Sequence, residues 1–131
     1  MATRTQARES VIGLLYAYDL GNESISKFAD VILEDKKIRN KQKDFALTLF
    51  NGTIGNLESV DKEIAEHLNK REITDVGSVE KAILRLSIYE ILFSDLDKPI
   101  IINEAIELSK KLASDNAPKF INGVLDSIKR V

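Results

Sequence analysis

Apolar residues return to one side of the chain every three or four positions along most of its length, the period of helices packed on a core rather than of strands. The first run follows "TRTQ" at 3–6, where Thr3 as cap and Gln6 reaching back fit a capping box. It predicts a helix to about Asp19 that turns Ala7, Val11, Leu14, Leu15 and Tyr18 inward, while Arg8, Ile12 and Tyr16 drift round its flank. "LGN" at 20–22 stops it. Ser24 is placed to cap a second helix with Ile25, Phe28, Ala29 and Ile32 as its apolar face, and Lys36 and Lys37 suit the negative end of its dipole. A third helix is expected to start near Asn40 and run long, because Ala46, Phe50, Leu57, Ile64 and Leu68 keep to one side. Gly52 and Gly55 inside it fit the close approach of another helix better than a weakened backbone.

"REITDVGS" breaks the pattern, and "VEKAILRLSIYEILF" at 79–93 is then apolar on nearly every side, the mark of a central helix surrounded by others. After "SDLDKP" a further helix groups Ile102, Ala105, Ile106, Ser109, Leu112 and Ala113 on one face, with Asn103 as its cap or an early polar residue. "ASDNAP" closes it, and Asn116 as cap with Pro118 in the first turn opens the last helix. The expectation is an all-α protein of six or seven helices, one domain over 1–131, with no strand and no internal repeat.

In the last helix, Ile121, Val124, Leu125 and Ile128 complete a core stripe without Phe120, which lies to the side of it beside Gly123. A glycine in a helix interior costs about 1 kcal/mol relative to alanine. Two explanations stand at this point. Gly123 and Ser127 keep the surface beside Phe120 low, so that the ring forms a platform for a flat ligand, or Gly123 admits a neighbouring helix and Phe120 seals the bundle edge.

Composition narrows the chemistry. With no cysteine among 131 residues, disulfides, thiolate catalysis and cysteine zinc sites are excluded, in keeping with a reducing cytoplasm. "VIGLLYAYDL" is too short and too soon interrupted by Asp19 for a signal peptide or a membrane span. The phosphate-loop, dinucleotide, zinc-protease and acyl-transfer motifs are all missing, and the single histidine, His67, reads as a helix C-terminal residue rather than a general base. A binding protein needing no metal or cofactor is therefore expected, and no enzyme. Net charge is −2, but residues 1–16 carry +1 and residues 110–131 carry +3, leaving −6 for the middle. If the two ends meet, an acidic protein presents a basic face to phosphates and an acidic one to a basic partner; otherwise these charges are solvated helix surface.

Three stretches, "ARESVIGLLY" at 7–16, "VEKAILRLSIYE" at 79–90 and "INEAIELSKKLASDNAPKFINGVLD" at 102–126, together resemble the NusB family of bacterial transcription antitermination factors. The resemblance runs over the whole chain, more thinly across 20–40 and 56–78. It implies two three-helix bundles packed across each other, and a factor that binds the boxA element of nascent RNA together with the small-subunit ribosomal protein that serves as NusE. Within the RNA polymerase antitermination complex the pair promotes read-through, above all in ribosomal RNA operons. Carried onto this chain, the family's RNA contacts are Arg4, Arg8, Tyr16, Lys119 and Phe120, and its partner surface involves the "VEKA" helix through Glu80. The arm "MATRTQARE" holds fewer cations than such an arm is expected to have. A related helical domain precedes the catalytic part of some ribosomal RNA cytosine methyltransferases, but no cofactor-binding α/β segment or nucleophilic cysteine accompanies it here. A protein-only adaptor and a homodimer of the free chain stay open beside the RNA reading.

Overall fold

The computed structural model describes residues 1–130 and contains seven α-helices: α1 (Arg4–Asp19), α2 (Ile25–Asp35), α3 (Lys41–Gly55), α4 (Leu57–Glu66), α5 (Ser78–Phe93), α6 (Lys98–Leu112) and α7 (Ala117–Ser127). A single 3-10 turn at Ile73–Asp75 joins α4 to α5, and no strand occurs among the described residues. Helices α1, α2 and α3 pack together, as do α5, α6 and α7. The two groups meet where α5 lies against α1 and α3, and α4 covers a further side of α5.

That position explains the composition of α5. Ala82, Ile83, Leu84, Leu86, Ile88 and Ile91 are all buried, and so are Arg85, Ser87 and Glu90, because neighbours approach from several directions and leave little of the helix to water. At the start of α1 the capping box is complete: Thr3 accepts from the Gln6 backbone N–H, and the Gln6 side chain accepts from Thr3. Ser24 and Asn116 stand at their cap positions but make no side-chain cap hydrogen bond.

Several sequence expectations change. The long third helix is two helices. Asn56 ends α3, donating from its backbone to Gly52 O at 3.1 Å and from its side chain to the same oxygen at 2.8 Å. With Gly52 and Gly55 weakening the last turn, that competing hydrogen bonding lets α4 bend away onto α5. Gly52 is a close-approach site, since a Cβ there would overlap the Tyr89 hydroxyl of α5, whereas Gly55 faces open space. Helix α2 buries Ala29 and Leu33 and leaves Phe28 55% exposed, because only a narrow stripe of this short helix is covered by α1 and α3. Helix α6 starts at Lys98, with Pro99 in its first turn, so Asn103 is an interior, exposed residue; the buried stripe is Ile101, Ala105, Leu108 and Ser109. Arg8 leaves the flank of α1 for the interior.

Candidate functional site

Arg4 and Arg8, one turn apart on α1, both place their guanidinium groups over the ring of Phe45 from α3, at 4.6 and 5.1 Å from its centroid. Their surroundings differ. Arg4 is exposed, while Arg8 is 5% exposed and clasps the buried Glu90 of α5 through Nε at 2.9 Å and Nη2 at 2.8 Å. Glu104 of α6 lies 3.7 Å from the other guanidinium nitrogen, so the Arg8 charge is balanced within the protein. A second set of charges ties α1, α4 and α5 together. Arg85 donates to both Asp61 oxygens, at 2.9 and 2.8 Å, and to Asp19 at 2.9 Å, and Lys81 lies 3.4 Å from Asp19. Burial works against the Arg85 charge, but the two carboxylates more than offset it and hold its pKa above the ordinary value.

Tyr16 sits on the outer side of α1 and is 39% exposed. It borders a groove of about 910 Å³ between α1 and the segment linking α2 to α3, into which Gly13, Lys36, Lys37 and Gln42 also face. Lys119 and Phe120 border a different cleft, of about 630 Å³, where the start of α7 faces the segment after α4. Its walls include His67, Lys70, Arg71 and Gly123. The Phe120 ring packs partly against the core, and the Arg71 guanidinium lies over it at 4.5 Å from the centroid. Arg71 is positioned in turn by donating to Asp75 O at 3.1 Å. Nothing comes within 4 Å of a Cβ built on Gly123, so this glycine admits no neighbouring helix; its bareness keeps the cleft open beside the ring. His67 caps the end of α4, with Nδ1 2.8 Å from Glu63 O.

The residues singled out from sequence thus fall into three places. Arg4 and Arg8 share one ring, Tyr16 belongs to the first groove, and Lys119 with Phe120 belong to the second cleft. Glu80 stands apart from them in the first turn of α5, its carboxylate folded back so closely over Gly77 that a Cβ there would overlap it. A negative charge at this helix N-terminus is favourable whatever else it does. Arg71 was missed because it lies in "REITD", which carries no periodicity; a cation near an off-stripe aromatic becomes visible only when α4 and α7 are brought together.

Residues 5–130 match the model of the NusB family. The chain is 74% identical over 128 residues to the transcription antitermination protein NusB of Aliarcobacter butzleri, covering 98% of each chain. It is 62% identical over 130 residues to the protein of that name from Nitratiruptor sp., covering 99% of this chain and 94% of the other. A solved complex of antitermination factors NusB and NusE with double-stranded RNA contains a chain of similar structure, with TM-score 0.84, 32% identity, and coverage of 95% of this chain and 93% of that one. With the family model spanning nearly all of a seven-helix chain whose relatives share its length, the protein belongs to the NusB family.

Proposed function

We propose that this protein is a non-enzymatic transcription antitermination factor that binds boxA RNA jointly with the ribosomal protein acting as NusE, and so promotes read-through by RNA polymerase in ribosomal RNA operons. The observation that carries the RNA part is the cleft at the start of α7, where Phe120 is flanked by Lys119 and Arg71 and the bare Gly123 leaves room beside the ring. Aromatic faces under bases and cations on phosphates are the means by which single strands are held. Arg4 adds an exposed cation at the start of α1, and Tyr16 a second exposed ring. Arg8 acts in this reading as a positioning residue: by holding Glu90 it fixes α1 against α5, and Arg4 is left as the arm's phosphate contact.

Joint binding follows from charge. The chain is −2 overall and its middle is −6, so a basic partner supplies phosphate contacts that the sparse arm lacks, and the acidic middle of the chain attracts that partner. A relative of this chain occurs in a solved complex with NusE and RNA, which supports the same assembly here. The RNA in that complex is double-stranded, whereas rings such as Phe120 suit unpaired bases. Titrating boxA RNA as a single strand and as a duplex, with and without the ribosomal protein at matched salt, tests the reading. The single strand should bind more tightly, and the partner should strengthen it at least several-fold. Equal affinity with and without the partner would sink the joint-binding proposal.

A further inference from the structure

Helix α2 turns Ala29 and Leu33 inward against α1 and α3 and leaves its outer face to solvent. On that face Phe28 and Val31 are 55% and 57% exposed, two large apolar side chains one turn apart on a helix of only 11 residues. Single exposed apolar residues are ordinary on a protein surface, but two that share a helix face make an unpartnered patch. It borders neither the groove beside Tyr16 nor the cleft at α7, so the RNA reading makes no use of it.

The charges of α2 are sorted around that patch. Asp30 is held by Lys43, and Glu34 by both Lys43 and Arg39, so these two carboxylates are balanced within the protein. The remaining charges of the helix, Lys27 and Asp35, are exposed and form no ion pair among the described residues. They stand four residues before and four after Val31, so the three side chains make one ridge with a cation at one end, an apolar residue at its centre and an anion at the other end. Such a ridge is complementary to a copy of itself running the opposite way.

We infer that the outer face of α2 is a self-association surface, on which a second copy of this chain seats its own α2 about a two-fold axis at Val31. At the common crossing in which the i±4 ridges of two helices run together, Lys27 of each copy meets Asp35 of the other, and Phe28 of each packs beside the other copy's Val31. A two-fold axis requires one patch to serve both subunits, and a ridge that runs from cation through apolar to anion meets that requirement where a patch of one sign does not. A solvated helix face explains the two charges but not the large apolar side chains between them. An 11-residue helix is about 16 Å long, and two such faces bury less than the roughly 1,000 Å² of a stable interface. The pair is therefore a weak dimer, with a dissociation constant on the order of 100 µM.

Sedimentation equilibrium of the whole protein from about 5 µM to about 1 mM, without RNA or ribosomal protein, is the test. The mean mass of wild type should rise with concentration from that of one chain toward that of two. Lys27→Asp and Asp35→Lys should each weaken association by about tenfold or more, because each sets two like-charged pairs across the axis, and the double variant Lys27→Asp/Asp35→Lys should return to within about threefold of wild type. Both reversals place the favoured sign at their end of the helix dipole, so the variants should melt no lower than wild type. Val31→Lys should abolish association. A wild type that stays monomeric at every concentration overturns the proposal, and so does association that survives Val31→Lys or in which the two reversals fail to rescue each other. If Val31→Lys instead weakens the complex with the ribosomal protein while wild type stays monomeric, the face belongs to that protein and the proposal fails.

Discussion

The seam between α1 and α5 and the open cleft beside α7 both contain arginine and an aromatic ring, yet they use them in opposite ways. In the seam, Arg8 is enclosed by Glu90, Glu104 and Phe45, and its charge never reaches the surface. In the cleft, Arg71 lies on Phe120 with its remaining donors toward solvent and with Gly123 leaving space beside the ring. A buried pair expresses its free energy in folding, because removing one member strands the other's charge out of water. An exposed ring and cation express theirs when a ligand arrives. Residue type alone does not separate a structural arginine from a binding one; what separates them is whether a carboxylate already occupies the guanidinium.

The largest effect should come from breaking the seam. Arg8→Ala leaves Glu90, which is 3% exposed, without its bidentate partner, and the expected loss is about 3–5 kcal/mol of unfolding free energy in urea at neutral pH. Replacing both members, as Arg8→Met with Glu90→Leu, should recover most of it, since the desolvation of two charges disappears with them. Under about 1 kcal/mol for the single variant would mean that water reaches Glu90, and the contrast with the cleft would collapse.

Phe120→Ala probes the other side. Stacking is worth about 1–3 kcal/mol per base by alanine substitution, so boxA affinity should fall roughly five- to hundredfold. Stability should fall by under about 1.5 kcal/mol, because only part of the ring is covered by the core and the Arg71 contact over it is exposed. Leu125→Ala on the buried stripe of the same helix is the control and should cost about 2–5 kcal/mol of stability. If Phe120→Ala unfolds as readily as Leu125→Ala while its folded fraction binds RNA normally, the ring is a seal and the cleft resembles the seam.

These contrasts also show where sequence reasoning reaches its limit. The α1 capping box and the all-round burial of α5 were legible because local hydrogen bonding and periodicity determine them. The break at Asn56 was not. Ala46, Phe50, Leu57, Ile64 and Leu68 keep their spacing across it, and only the position of α5 makes bending worthwhile. Arg8 was misplaced for a related reason: it is held by Glu90, 82 positions away, and a charged residue beside an apolar stripe reads as surface until its partner is known. Phe120 and Gly123 were legible as an anomaly, because a residue out of phase with a clean stripe marks itself. Arg71 and the groove at Gly13 needed tertiary structure, which alone brings a loop cation over a ring or shows that a glycine has nothing above it.

The smallest expected effect gives the sharpest form of the comparison, since Arg4 and Arg8 share the Phe45 ring and differ in burial and in whether a carboxylate holds them. No ion pair holds Arg4 among the described residues; its guanidinium lies over the Phe45 ring at 4.6 Å from the centroid. Removing such a contact costs about 0.5–1 kcal/mol at an exposed site, so Arg4→Ala should melt close to wild type and several kcal/mol above Arg8→Ala. Binding should show the reverse order. Loss of one phosphate contact lowers the magnitude of the salt slope by about 0.7 for a single strand, and this should appear in Arg4→Ala. In Arg8→Ala, measured where the protein is still folded, the slope should be unchanged, because the Arg8 charge is already satisfied by Glu90. Urea unfolding and salt-dependent titration on the same preparations decide the matter. A slope that falls in Arg8→Ala and holds in Arg4→Ala would mean that RNA draws Arg8 away from Glu90, and the seam would then belong to the binding surface.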